Sequence, residues 1–166
     1  MIDDSKLRRL SVLVGTQLKK KKVRVVTAES CTGGFIAKIL TDIEGSSAWF
    51  SEGFVTYSNE SKIRLLGVTS ASLVRYGAVS EQTARQMAVG ALRRSGSGIA
   101  VAVTGIAGPG GGTPGKPVGT IWLAWVLRHG RQRPLVAVGR RFRGDRDEVR
   151  RKTVQFALQG LLRMLR

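Results

Sequence analysis

The chain has 166 residues, with 28 Lys and Arg against 11 Asp and Glu, and its formal net charge is +17. This length suits one domain that folds without covalent staples, and the single Cys31 excludes an internal disulfide. No apolar run approaches the ~20 residues of a membrane-spanning helix, and the acidic start does not resemble a signal peptide. We therefore expect a cytoplasmic protein with no membrane contact, and a basic surface that attracts nucleic acid or phosphorylated metabolites.

The first half of the chain alternates helical and extended patterns. Apolar residues at three- and four-residue spacing predict a first helix, with Asp3 or Asp4 at its start and four lysines at its end: Leu7, Leu10, Val14 and Leu18. The patterns that follow predict a strand at 23–28, a helix at 32–41, an extended segment at 48–57 and a short helix that Ser58 or Asn59 caps and Gly67 ends.

The second half begins with two helical patterns and then turns strand-rich. Helices are predicted at 69–76 and 80–94, strands at 99–104, 118–127 and 135–142, and a hairpin turn at 128–131. A closing helix starts at Asp145 or Asp147. Strands with helices before and after them predict a helix-covered sheet of parallel and antiparallel strands. With no internal repeat and no long linker, residues 1–166 are expected to form a single domain.

A segment of small, hydroxylated and glycine residues, 28–34, joins the first strand to the second helix. The first N–H groups of a helix have no partner within the helix and lie at the positive end of its dipole, so this turn is expected to hold a phosphate or an oxyanion. It also presents two candidate nucleophiles, Ser30 and Cys31, as a nucleophile elbow does, although the G-x-S-x-G signature is absent.

A second candidate segment, 105–117, has six glycines in thirteen residues. Its composition also suits a surface loop. However, Thr104 and Gly105 follow a buried-type strand, and ligands of open α/β sheets bind at the carboxyl ends of strands. Ser30 follows a strand in the same way, so we expect the two segments to border one crevice. No G-K-[ST] closes the glycine run, which excludes a P-loop.

Elimination narrows the chemistry of this crevice. The one histidine, His129, falls in the predicted hairpin turn, so serine and cysteine mechanisms lack a histidine base. One Cys, one His and scattered acids give no zinc spacing, and we expect no metal. The base that remains for a serine is a lysine whose pKa is lowered. Lys62, just after an apolar strand, is the candidate, although a solvated helix residue is the alternative.

Several sequence blocks occur in a fixed order along nearly the whole chain: AESCTGG at 28–34, GSSAWF at 45–50, GFVTYSNESK at 53–62, GAVS at 77–80, TGIAGP at 104–109, KPVGT at 116–120 and GDR at 144–146. In these blocks the sequence resembles the CinA C-terminal domain family. The resemblance implies a three-layer α/β/α sandwich with a mixed sheet of about five strands, usually in a homo-oligomer. It further implies a cofactor-free amidohydrolase that converts nicotinamide mononucleotide to nicotinic acid mononucleotide and ammonia.

The same resemblance implies roles for individual residues. Ser30 would be the nucleophile and Lys62 its base, and Tyr57 would be a third catalytic residue that hydrogen-bonds this pair or helps to shuttle the proton. The residues that would bind the substrate or the oxyanion are Thr32, Gly33, Gly34, Ser47, Thr104, Gly105 and Arg146, the last as a phosphate ligand. Ser46 or Ser47 is the open alternative for the nucleophile, with Ser30 then holding phosphate.

The competing hypothesis is a non-enzymatic, basic nucleic-acid-binding module, as the competence-related family name suggests. Its support is the charge, which concentrates at 19–22 and at 128–166, where twelve basic residues face three acidic ones. No aromatic residues are interleaved with them as in an RNA-stacking platform. An enzyme requires the serines, Tyr57 and Lys62 to converge on one crevice, whereas a binding module requires a continuous basic face.

Overall fold

The computed structural model describes residues 2–128 and 134–166. Within them, one mixed sheet has the strand order β2-β1-β3-β4-β5. β1 runs parallel to β2 and β3, while β4 is antiparallel to both β3 and β5. The strands are β1 (Val25–Glu29), β2 (Phe50–Val55), β3 (Ile99–Gly105), β4 (Thr120–Leu127) and β5 (Leu135–Arg141). The helices are α1 (Asp4–Lys21), α2 (Phe35–Thr41), α3 (Asn59–Leu66), α4 (Ser70–Tyr76), α5 (Glu81–Ser95) and α6 (Arg146–Met164).

Helices cover both faces of this sheet. On one face, α1, α2 and α6 enclose an apolar core that includes Leu7, Trp49 and Leu158. On the other, α3 and α5 enclose a second core around Val26 and Met87, with α4 packed beside α5. The predicted three-layer α/β/α sandwich with a mixed five-stranded sheet is therefore confirmed for the described residues. In that same part of the chain, no helix combines the length and apolar character needed to cross a bilayer.

The local signals in the sequence act as predicted at most helix ends. The side chain of Asp3 accepts a hydrogen bond from the Lys6 N–H at the start of α1, and Ser58 does the same at the start of α3. Asp145 opens α6 with a capping box. Gly67 ends α3 in the left-handed conformation, which glycine adopts without steric cost.

Most element boundaries shift by one to three residues from the prediction, and two of these shifts have a clear local cause. α2 begins at Phe35 because the preceding Gly33 and Gly34 have φ of 59° and 95°, which no α-helix accommodates. β4 begins at Thr120 because the Thr120 N–H closes a turn onto the Pro117 carbonyl. The predicted hairpin turn at 128–131, with His129, lies mostly outside the described residues.

The parallel strands β1, β2 and β3 all begin at one side of the sheet and all end at the opposite side, and we use the word edge for these two sides. β1, β2 and β3 all end at one of them, which we name the carboxyl edge, and the segments after these strands meet there. The opposite edge, where the same strands begin, is the amino edge. Residues 30, 56–57 and 104–105 therefore lie at the carboxyl edge, as expected for a site built by strand ends.

Packing between α5 and α3 generates a stability prediction. A β-carbon at Gly90 of α5 would overlap the main-chain carbonyl of Leu66, which cannot rotate away. Gly90→Ala is expected to lower the free energy of unfolding by about 1–3 kcal/mol despite the better helix propensity of alanine. Urea denaturation measures the change. Gly115→Ala is the control, because a β-carbon there meets nothing within 4 Å, and it is expected to stay within about 0.5 kcal/mol of wild type.

Candidate active site

Ser30 and Lys62 meet at the carboxyl edge. Ser30 directly follows β1, and its N–H donates to the Val103 carbonyl of β3 over 3.1 Å, which fixes the backbone of the turn to the sheet. Lys62 lies on α3, and its Nζ is 3.1 Å from the Ser30 Oγ. Lys62 is 1 % exposed and Ser30 is 8 % exposed. The predicted serine and lysine are thus brought into hydrogen-bond contact in a nearly dry environment.

Burial determines the protonation of the groups around Ser30. It lowers the pKa of Lys62 below its ordinary value of 10.5, because an ammonium ion loses its hydration there. Nζ also donates to the carbonyls of Thr56, at 2.8 Å, and Tyr57, at 3.3 Å, so the amine is held toward the serine. Burial raises the pKa of the Cys31 thiol to about 12. Cys31 is therefore a protonated thiol, whereas Lys62 is suited to accept a proton.

A cleft of about 280 Å³ opens over this pair. Its walls include Thr104 and Gly105 at the end of β3, the glycine-rich loop after them, and Arg146 at the start of α6. The hydroxyl of Thr104 is buried and donates to the Ala78 carbonyl over 2.8 Å, so it joins two walls of the cleft. The expectation that the Ser30 turn and the glycine-rich segment border one crevice is confirmed.

Tyr57 contacts the Ser30–Lys62 pair differently from the prediction. Its main-chain carbonyl accepts from Lys62, but its side chain is 61 % exposed at the cleft mouth. There the Tyr57 hydroxyl accepts a hydrogen bond from Arg146 Nη2 over 3.1 Å, while Arg146 Nη1 donates to the Gly108 carbonyl over 2.8 Å. The predicted bond between the tyrosine hydroxyl and the pair is absent, and Arg146 links the two sides of the mouth instead.

The helix N-terminus after Ser30 is partly occupied from within the protein, at the N–H groups of Gly33, Ile36 and Ala37. The fully buried carboxylate of Glu29 accepts from the Thr32 hydroxyl at 2.6 Å and from the N–H groups of Ile36 and Ala37 at 3.0 and 2.8 Å. The Gly33 N–H is already bonded to the Ser30 carbonyl. Thr32, Gly33 and Gly34 therefore shape the turn and do not line the cleft.

The structure places Ser47 apart from the Ser30–Lys62 pair. It sits in a 3₁₀ turn, Ser46–Ala48, just before β2, whose first residue, Phe50, pairs with the first residue of β1. This turn lies at the amino edge, one strand length from Ser30, or roughly 16 Å at the usual rise per residue. Within this chain neither Ser46 nor Ser47 approaches Lys62, because position along a strand decides which edge a residue reaches.

Two residues that sequence reasoning missed support the Ser30 turn. Glu29 is one, and its signal was an acid at the end of an apolar strand, directly before a helix. The other is Arg150 of α6, whose Nη2 donates to the Thr32 carbonyl over 2.7 Å. Nothing in the sequence pairs residues so far apart. Across residues 2–128 and 134–166, no group of three His, Cys, Asp or Glu side chains is arranged to hold a metal ion.

The chain is similar to known proteins over nearly its whole length. The model of the CinA C-terminal domain family matches residues 7–165. The chain is 51 % identical over 162 residues to nicotinamide-nucleotide amidohydrolase PncC of Enterobacter agglomerans, covering 98 % of this chain and 97 % of that protein. It is 51 % identical over 160 residues to the Escherichia coli K12 protein of the same name, covering 95 % and 94 %.

Solved structures agree with the sequence matches. The competence/damage inducible protein CihA from Agrobacterium tumefaciens superposes with a TM-score of 0.93 at 46 % identity, over 97 % of this chain and 96 % of that one. The fold and the cleft define an α/β/α protein with a serine and a buried lysine at the ends of parallel strands. This chain belongs to the CinA C-terminal domain family.

The lowered pKa of Lys62 predicts a pH dependence of stability. Between that lowered value and 10.5 the unfolded chain binds more protons at this lysine, so stability rises with pH across the window. The difference in unfolding free energy between wild type and Lys62→Met isolates this residue, since all other groups are shared. We expect the unfolding free energy of wild type to rise relative to that of Lys62→Met by up to about 1.4 kcal/mol per pH unit within this window. Urea denaturation at several pH values measures the difference. A flat or falling difference would contradict the lowered pKa.

Proposed function

We propose that this chain hydrolyses the carboxamide of nicotinamide mononucleotide, with Ser30 as nucleophile and Lys62 as its general base. The 3.1 Å contact between Lys62 Nζ and Ser30 Oγ inside the cleft carries the proposal. Identity of about half the residues to proteins named nicotinamide-nucleotide amidohydrolase, over nearly the full length of each, supports the substrate. The competing non-enzymatic module does not require Ser30, Lys62 and the Tyr57 carbonyl to converge, and they do.

The reaction proceeds in two halves. Neutral Lys62 takes the hydroxyl proton while Ser30 Oγ attacks the carboxamide carbon and forms a tetrahedral oxyanion. Lys62 then returns the proton to the amide nitrogen, the C–N bond breaks, and ammonia leaves an ester on Ser30. In the second half Lys62 takes a proton from water, which attacks the ester carbon; the C–Oγ bond then breaks, Lys62 gives the proton to the Ser30 Oγ, and nicotinic acid mononucleotide leaves. One lysine thus serves as base and as acid in both halves.

The oxyanion needs a donor other than the helix N-terminus that Glu29 occupies. Cys31 follows the nucleophile and lines the cleft. The N–H of the residue after the nucleophile is the donor that strand-end elbows use, and such a donor contributes about 10²–10³ in rate. We assign this role to the Cys31 N–H, in place of the N–H groups of residues 32–34.

The nucleotide phosphate is assigned to Arg146 at the mouth of the cleft. Its guanidinium presents a planar fork of donors, which binds phosphate in bidentate fashion. Both of its terminal nitrogens donate to neutral oxygens, those of Gly108 and Tyr57, so an anionic phosphate competes well for them. With the phosphate at Arg146, the nicotinamide ring lies between Thr104, Gly105 and the serine.

Variants of the candidate nucleophiles test the chemistry. Ser30→Ala and Lys62→Ala are each expected to lower ammonia release from nicotinamide mononucleotide by at least about 10²-fold, because nucleophile or proton transfer is lost. Cys31→Ala, with its buried thiol protonated, and Ser47→Ala, at the other edge, are expected to stay within severalfold of wild type. The assay contains a chelator, because the proposed mechanism uses no metal. If Ser47→Ala lost activity while Ser30→Ala kept full activity, Ser47 and not Ser30 would be the nucleophile.

A second comparison tests the phosphate contact. Arg146→Ala is expected to lower kcat/KM for nicotinamide mononucleotide by about 10–100-fold, the loss of a charge-assisted hydrogen bond at an exposed site. Its kcat/KM for the nucleoside, which lacks the phosphate, is expected to change little. Arg143→Ala, an exposed cation near the same edge, is the matched control for charge. An equal loss on both substrates would mean that Arg146 holds the cleft together instead of the phosphate.

A further inference from the structure

The directions of the helices place the negative ends of their dipoles at the amino edge. α1 leads directly into β1 and α5 into β3, so both end where these strands begin. α6 starts after β5 at the carboxyl edge and runs back, ending at the amino edge as well. The carboxyl-terminal ends of these helices, with their negative dipole ends, therefore gather at the edge opposite the cleft.

Exposed cations follow these helix ends. The amino-edge face, as we define it, consists of ten exposed basic residues contributed by α1, α5, α6 and the adjoining strand ends: Lys19, Lys20, Lys21, Lys22, Arg24, Arg93, Arg94, Arg128, Arg163 and Arg166. Asp42 and Glu44, which follow α2, also lie at this edge, and Glu44 is an exposed acid outside the ion pairs of the described residues. Asp42 is paired with Lys38 at 2.6 Å, so its charge is already neutralised.

The cations of this face are not compensated inside the protein. None of the ten forms an ion pair with a carboxylate of the described residues. Where these side chains make hydrogen bonds, they donate to main-chain carbonyls. Arg24 donates to the Phe50 carbonyl over 2.9 Å, and Arg94 donates to the Arg64 carbonyl over 3.0 Å. One cation per helix end is enough to complement a dipole of about half a charge. Ten therefore exceed what the fold needs.

From this face we propose that the amino edge binds the phosphate backbone of double-stranded nucleic acid, without sequence preference. A carboxylate-poor face of many cations matches a polymer with one charge per about 1.7 Å. Single strands are bound by stacking on aromatic side chains, but the exposed aromatic among the described residues, Tyr57, lies at the opposite edge. A bilayer is usually engaged with inserted Trp, Phe or Leu side chains. Of the large apolar side chains exposed in the described residues, only Val136 of β5 lies near this edge, and none belongs to α5, α6 or the end of α1.

The amino-edge face and the catalytic cleft work independently. A strand length separates them, roughly 16 Å, which is about twice the screening length of physiological salt. A duplex bound at the amino edge leaves Arg146 and the mouth of the cleft uncovered. The proposal therefore adds a binding activity to the hydrolysis and does not depend on it.

Two triple variants on α1 provide the test. Lys19→Gln, Lys20→Gln and Lys21→Gln together remove three cations from the amino-edge face. Lys6→Gln, Arg8→Gln and Arg9→Gln remove three exposed cations from the other end of the same helix, so the net charge of the two triples is equal. Binding of a fluorescent duplex of about 20 base pairs is measured by anisotropy at about 50 and 200 mM salt. Thermal unfolding verifies that both triples fold.

We expect wild type to bind two unrelated duplex sequences equally. The amino-edge triple should weaken binding by tenfold or more and lower the slope of log affinity against log salt by about 2–3, while the control triple changes both by less than half as much. Equal losses in the two triples, absent binding by wild type at about 50 mM salt, or binding only to anionic vesicles would each overturn the proposal. Ammonia release is measured in parallel, and it is expected to be unchanged in both triples.

Discussion

The Ser30 turn depends on one buried carboxylate. Glu29 ends β1 inside the protein, and it is satisfied only by donors that the next seven or eight residues bring back to it, the Thr32 hydroxyl and the first N–H groups of α2. To return that quickly the chain uses two glycines at positive φ, Gly33 and Gly34. A buried charge without these partners would cost several kcal/mol, so the carboxylate and the turn specify each other. Ser30 is the residue that this arrangement directs into the cleft.

Lys62 completes the arrangement from the other side of the sheet edge. Its aliphatic part is buried in the protein. Its amine is within hydrogen-bond distance of the carbonyls of residues 56 and 57, just after β2, and of the Ser30 hydroxyl. These contacts orient the amine, while burial disfavours its charged form. The same dryness keeps Cys31 protonated. One physical condition, exclusion of water, thus separates a serine that can be activated from a neighbouring thiol that cannot.

Much of this could be predicted from the sequence. Helix periodicity and caps such as Asp3 and Ser58 are local signals. The rule that ligands bind at strand ends predicts from the sequence that Ser30 and Thr104 lie together, as they do in the cleft. Elimination of histidine bases pointed to Lys62, which the fold buries against Ser30.

What failed depended on tertiary structure. The sequence does not show that Ser47 and Ser30 lie at opposite edges, because this follows from the parallel pairing of β1 with β2. The role of Tyr57 was assigned to its side chain, whereas the backbone carbonyl makes the contact because the strand end turns the ring outward. The N–H groups of α2 were expected to be free, since the sequence does not show that the carboxylate of Glu29 folds back onto them.

The uneven charge has a practical consequence. On a negatively charged solid support, such as a sulfonated resin or silica, the molecule should adsorb in one preferred orientation, because the lysines of residues 19–22 and the arginines of 163 and 166 point away from the cleft. The Ser30 side of every adsorbed molecule then faces the liquid. Immobilisation by simple ion exchange would preserve access to the catalytic groups without any covalent tether.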